Sequence, residues 1–199
     1  MAIEQPFVHD LTVALAAPVQ VWSAPGGDID GSGVQGAYYG DHRMVRGLQL
    51  DLQGPDGPIE LVHGATSVGA DGTVTFHTIA RIHDGTADPL GAVTRTRAAR
   101  PGGMVERITI GTSLPRPLPV TLTLRLQPDA TPMALIKAGV AAESDLLAGP
   151  DGWGWDHGSR VTVSAPEAEV STGDSVHLCW QCTVPAYGAV TVSWQLAAR

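Results

Sequence analysis

The chain has 199 residues, a formal net charge of -8, and 16% charged and 43% hydrophobic residues. The hydrophobic share supports a sizeable core without disulfides, and a mean hydropathy of +0.06 excludes a disordered chain. With Lys137 as its single lysine and 12 basic against 20 acidic residues, it builds no phosphate-neutralising face, which argues against nucleic acid and anionic membranes as partners.

The apolar run from Phe7 to Trp22 is flanked by Pro6 and Pro18, holds His9 and Asp10, and lacks a basic start. It reads as folded structure rather than as a signal peptide. Two cysteines fit a reducing compartment, so a cytoplasmic location is expected. Within that run Leu11, Val13 and Leu15 alternate with Thr12 and Ala14, the period of a half-buried strand.

Further along, Asp28-Ile29-Asp30-Gly31-Ser32-Gly33 resembles the start of a calcium loop, but the twelfth position is Tyr39 rather than a bidentate Glu. A Gly/Asp-rich hairpin turn accounts for the same residues. Leu48, Leu50 and Leu52 form the next alternating run and end at Gly54-Pro55-Asp56-Gly57. Val74 and Phe76 follow the Ala70-Asp71-Gly72 turn, and Asp84-Gly85 marks another.

Pro101-Gly102-Gly103 predicts a hairpin turn. With a two-residue loop, Arg97 stands opposite Glu106, Arg95 opposite Ile108 and Val93 opposite Ile110; a longer loop shifts the register by one and sets Arg97 opposite Arg107. Glu106 falls on the face of Met104, Ile108 and Ile110. An unpaired carboxylate there is costly, and pairing with Arg97 offsets that cost.

Leu122, Leu124 and Leu126 give another strand. Pro132 to Leu147 is the one stretch favouring a helix, of one or two turns, with Thr131 as N-cap and Pro132 at the first helical position. After the Pro150-Asp151-Gly152 turn, Trp153 and Trp155 share one strand face. They either stack on sugar rings or fill a core beside their glycines. Val161 and Val163, then Val176, Leu178 and Trp180, then Val190, Val192 and Trp194 close the pattern. The expected fold is all-β: a large antiparallel two-sheet sandwich forming one domain over residues 1–199, with at most one short helix.

The chemistry-bearing motifs are sparse. Cys179-Trp180-Gln181-Cys182 lies inside a strand, where i and i+3 point to opposite faces, so neither one metal nor one disulfide takes both. The seven histidines form no ligand spacing. Most acidic residues sit beside Gly in turns, and nothing marks a pair of hydrolytic carboxylates. No metal, cofactor or catalytic residue is expected.

Gly27-Asp28-Ile29 and Gly36-Ala37-Tyr38-Tyr39-Gly40-Asp41-His42-Arg43 carry a family resemblance. So do Arg95-Thr96-Arg97, Gly102-Gly103-Met104-Val105-Glu106-Arg107-Ile108, Asp129 and Ile136-Lys137-Ala138-Gly139. In this order, from about Val21 to Leu196, the chain resembles the N-terminal domain of bacterial glycogen-debranching-type enzymes, the amylo-α-1,6-glucosidase group. His42 replaces the family's Thr, and Asp129-Ala130-Thr131-Pro132 lacks a second Asp. The resemblance implies a supersandwich that precedes a helical barrel holding the catalytic carboxylates. This chain stops before such a barrel, so its implied partner is that missing catalytic domain, with α-glucan as a further ligand. The implied role is non-catalytic: packing against the barrel and shaping one rim of the glucan site.

Two other readings stand beside it. One is a free-standing carbohydrate-binding module, with Trp153, Trp155, Tyr38 and Tyr39 as candidate platforms. The other is a plain structural domain, or an oligomerisation domain forming a homo-oligomer, with no ligand. Asp41 and Arg43 share a strand face. They are expected to pair with each other or with a neighbouring loop, or to contact the missing domain.

Overall fold

The computed structural model describes residues 10–82, 88–140, 147–149, 152–154 and 160–199; for 147–149 and 152–154 it describes the backbone. In chain order the strands are β1 Thr12–Ala16, β2 Val19–Ser23, β3 Gly36–Tyr39, β4 His42–Gly54, β5 Gly57–Pro58, β6 Glu60–Val68, β7 Val74–Arg81 and β8 Gly91–Arg100. They continue as β9 Gly103–Thr112, β10 Leu118–Pro128, β11 Leu147–Gly149, β12 Gly152–Gly154, β13 Arg160–Ser164, β14 Glu169–Thr172, β15 Val176–Val184 and β16 Ala189–Ala198. One helix, α1 Met133–Lys137, follows β10. Among the described residues no helix is long and apolar enough to cross a membrane.

The strands form two antiparallel sheets. The first runs β1-β2-β3-β4-β10-β15-β14, with β5 on β4; the second runs β11-β12-β13-β16-β9-β8-β7-β6. The leucine alternation builds the first inner face. Leu52, Leu122 and Trp180 stand in one cross-strand row, Leu50, Leu124 and Leu178 in the next, and Leu48, Leu126 and Val176 in the third. All nine are buried, and each contributes about 1.5–3 kcal/mol relative to exposure. Their neighbours Thr121, Thr123, Asp51 and Gln53 take the other face. The second sheet meets this core with Phe76, Val93, Ile108, Ile110, Trp194 and Leu196, so one hydrophobic cluster spans both sheets. The fold is the expected antiparallel sandwich.

Three local expectations need correction or placement. Thr131 is not the helix N-cap. Pro132 holds that position with an extended backbone and no side-chain cap, while the Thr131 hydroxyl donates to Asp129 Oδ1 at 2.7 Å. Cys179 is paired with Thr123 and Cys182 with Val120, so the two thiols stand on opposite faces of β15. The turn at Asp84-Gly85, Pro150, Asp151 and all of Trp155 lie outside the described residues.

Candidate functional site

The second sheet carries charge into the core. β8 alternates with Val93, Arg95 and Arg97 on the inner face and Thr94 and Thr96 on the other. Pro101 and Gly102 alone connect β8 to β9, so Arg100 pairs with Gly103 and Arg97 stands opposite Glu106. On the far side of β9, Trp194 of β16 stands opposite the same Glu106. Arg97 and Glu106 are fully buried, and Arg95 is 2% exposed.

Glu106 is saturated with donors. Its Oε1 accepts from Arg95 Nε at 2.9 Å and Arg97 Nη2 at 2.9 Å. Its Oε2 accepts from Trp194 Nε1 at 3.0 Å and, at longer range, from Arg95 Nη2 at 3.5 Å. Asp28 completes the cluster from the loop between β2 and β3: its Oδ1 accepts from Arg95 Nη1 and from the Leu50 backbone N–H. The preceding carbonyl, Gly27 O, accepts from Arg97 Nη2 at 2.7 Å. The formal charges of the two arginines and two carboxylates cancel, which is the condition for burying them together.

Burial alone would push the Glu106 carboxyl up, but Arg95 and Arg97 outweigh it and hold the carboxyl below its ordinary range. Burial also opposes the charge on Arg95, and Glu106 with Asp28 reverses that effect. Arg97 has fewer compensating partners, so burial prevails and its pKa is lowered. Its Nε and Nη1 make no hydrogen bond among the described residues. The Phe76 ring lies 5.1 Å from its guanidinium carbon, a cation–π contact that partly replaces them.

Gly27 fits this arrangement closely. Its φ is +90°, and a Cβ there would lie 2.9 Å from Phe76 Cδ2. The Gly-Asp-Ile segment therefore crosses from one sheet to the other. Gly27 meets β7, Asp28 meets β8, and Ile29 pairs with Leu48 of β4. Asp28 faces Arg95, while Asp30 Oδ1 accepts from Ser32 N–H at 2.7 Å, so the two carboxylates do separate jobs.

A second ion pair fixes the other end of β4. Arg43 Nε donates to Asp129 Oδ2, and Arg43 Nη1 donates to Gln35 O at 3.2 Å. Asp129 Oδ1 accepts the backbone N–H of Ala130 and Thr131 at 2.8 and 3.1 Å. Arg43 thus pairs with the loop after β10 and not with Asp41, whose side chain is exposed.

Tyr38 is not a sugar platform. It is fully buried, its hydroxyl donates to Val34 O at 2.8 Å, and burial raises its pKa. A bulge between Ala37 and Tyr38 breaks the alternation of β3, so Gly36, Ala37 and Tyr38 are buried in succession. Tyr39 is half-buried against the core. The backbone of Trp153 lies on β12; its side chain and all of Trp155 fall outside the described residues.

Beside the charge cluster a groove of about 520 Å³ opens along β4. Leu50, Leu52, Pro58, Ile59 and Leu61 form its aliphatic walls. Asp28, Arg95, His63, Thr78, Thr121 and Thr123 supply polar groups. Reading from the sequence missed Asp28, Arg95, Phe76 and Trp194 as members of the cluster. The available signal was parity: Arg95 and Arg97 share the inward register of Val93.

The sequence profile of the N-terminal domain of some glycogen debranching enzymes matches residues 16–195. No curated protein matches the sequence. Among solved structures, a protein described as a kojibiose phosphorylase from the human microbiome shares the fold at a TM-score of 0.53 and 9% identity. The match covers 97% of this chain and 26% of that one, so the chain spans about a quarter of that protein's length. Matched along nearly its whole length, the chain belongs to the family of N-terminal domains of glycogen debranching enzymes.

Proposed function

We propose that this chain is the non-catalytic N-terminal domain of a glycogen-debranching-type α-1,6-glucosidase, and that it packs against the catalytic part of the same enzyme. The family match over residues 16–195 carries the reading. The chemistry of the charge cluster agrees with it. Glu106 is fully buried and saturated by arginine and indole donors, so it has neither a free proton nor access to a glycosidic oxygen. A hydrolytic pair needs two accessible carboxyl groups flanking a sugar, and Asp28 is half-exposed and paired with Arg95.

One end of the sandwich is suited to the packing. There Met133 N–H donates to Asp41 O at 2.7 Å and Gly40 N–H to Pro18 O at 2.9 Å, which gathers α1 and two turns of the first sheet. Gly72, in the turn between β6 and β7, abuts the Leu15 carbonyl and brings in the second sheet. Leu15 at 62%, Val68 at 63%, Val140 at 50% and Leu135 at 36% exposure lie at this end. Exposed apolar side chains grouped in this way mark an interaction face.

The expected result is no glucose from panose, limit dextrin or maltooligosaccharides with this chain alone. Glucose release above blank, abolished by one Asp or Glu substitution, overturns the non-catalytic reading. Leu15→Asp with Leu135→Asp should stop co-purification with the separately expressed remainder of the enzyme while leaving the fold intact by circular dichroism. Unchanged co-purification would move the packing face elsewhere.

A further inference from the structure

We propose that the groove beside Asp28 and Arg95 binds an uncharged, hydroxyl-rich oligosaccharide, and, resting on the reading above, that the ligand is a short stretch of α-glucan. The groove lies beside a short stretch of β4 that has no strand neighbour on the side away from β10. Ile29 bridges Leu48, and pairing resumes where Ile59 N–H donates to Leu52 O at 2.8 Å. Between them the Leu50 N–H is taken by the Asp28 side chain rather than by a strand. On the opposite wall a bulge between His63 and Ala65 shifts the register of β6 and sets His63 opposite Thr78. Bulges re-aim side chains in this way, and they are frequent beside binding sites.

The polar groups in the groove have capacity to spare. Asp28 is 44% exposed, and only its Oδ1 is engaged; Oδ2 makes no hydrogen bond among the described residues. The side chains of Thr78 and His63 also make no hydrogen bond among the described residues, and both residues line the groove. Hydrogen-bonding groups therefore stand beside an aliphatic wall, an arrangement that receives a sugar: hydroxyls against the polar groups, C–H groups against the wall.

Charge selects against ionic ligands. The Arg95 guanidinium is 2% exposed and already matched by Glu106 and Asp28, so it has no attraction left for an anion, and the Asp51 carboxylate at the rim repels one. A cation meets Arg95 directly behind Asp28. The volume of about 520 Å³ lies in the range of small-molecule sites. Among the described residues the walls carry no Trp, Tyr or Phe to stack on a ring, so weak, saturable binding is expected rather than tight capture.

The test is a titration of the isotopically labelled full chain with maltotriose and maltoheptaose, followed by amide chemical shifts. Saturable shifts centred on Asp28, Leu50, Ile59 and Thr78 are expected, with no competition from inorganic phosphate. Thr78→Trp fills the groove and should weaken binding at least tenfold. His77→Trp changes the adjacent residue, which points to the other face, and should leave binding unchanged. If Thr78→Trp does not fold, Ile59→Trp fills the same space from the opposite wall. Absence of saturable shifts, shifts centred elsewhere, or equal binding by the groove-filling and control variants overturns the inference. Failure of these titrations with no glucose release rejects the groove alone; glucose release rejects the non-catalytic reading whatever the groove does.

Discussion

Glu106→Gln is expected to destabilise the domain by about 3–5 kcal/mol, the cost of removing one partner from a buried ion pair. Small domains hold only about 5–15 kcal/mol in total, so the variant should be partly unfolded or melt far below the wild type. The substitution keeps volume and shape, which isolates charge and hydrogen bonding. Arg95 and Arg97 lose the carboxylate they share, and only Asp28 remains to balance them. The amide cannot substitute in either orientation. Toward Oε1 its NH₂ would meet Arg95 Nε and Arg97 Nη2; toward Oε2 it would meet Trp194 Nε1. Donor faces donor each way, and a buried donor without an acceptor is penalised. Urea denaturation gives the loss directly. A change under 1 kcal/mol would show that the cluster is solvated and that its burial has been misjudged.

The same carboxylate makes stability depend on pH. Its folded pKa lies below its ordinary value of 4.5. Its contribution is therefore complete above that value and disappears as pH falls through the folded pKa. Wild-type stability should fall on acidification below about pH 4.5, and Glu106→Gln should show a shallower acid limb because this contribution is already gone. The triple change Arg95→Met, Arg97→Met, Glu106→Leu is expected to be less destabilising than Glu106→Gln alone. Removing a whole buried charge set avoids the uncompensated ions that a single substitution leaves.

Local periodicity made much of this architecture legible in the sequence. Leu48, Leu50 and Leu52 alternate with polar residues, and a strand with one buried face has no other way to be written. The register of the β8–β9 hairpin was open to reading only as a choice of loop length: the two-residue loop is the one formed, and every later partner follows from it by counting. Parity also carried a signal that went unused: Arg95 and Arg97 share the inward register of Val93. What stayed hidden depended on pairings distant in sequence. Trp194 reaches Glu106 across 88 residues because β16 lies beside β9. Arg43 chooses Asp129 across 86 residues rather than Asp41, because β10 lies beside β4. Tyr38 was a candidate platform by residue type alone, and the bulge before it, which buries Gly36, Ala37 and Tyr38 in succession, is not written in the local pattern. The groove was invisible because it lies beside a stretch of β4 without a strand neighbour, which no local pattern records.

Adjacent glycines in the hairpin turn should respond in opposite ways. Gly102→Ala is expected to be near neutral, since a Cβ there meets nothing within 4 Å. Gly103→Ala is expected to be severely destabilising. Its φ is +150°, a conformation that side chains rarely adopt, and strain of that kind costs about 1–3 kcal/mol. Space is the larger obstacle. A Cβ on Gly103 would lie 1.9 Å from Leu196 O and 2.9 Å from Ala197 Cα, both backbone atoms of β16. No rotamer change relieves that contact; β16 has to move away from β9. Gly103 pairs with Ala197, and the same strand pairing sets Trp194 opposite Glu106. Pushing the strands apart at Gly103 therefore also loosens the Trp194 hydrogen bond on the buried carboxylate. The two substitutions add the same methyl group to neighbouring residues, so helix or strand propensity cannot separate them. Thermal melting of both variants should show Gly102→Ala close to the wild type and Gly103→Ala many degrees lower. Equal melting temperatures would mean that β16 does not pack against this turn, and the pairing of the last strand with β9 would have to be redrawn.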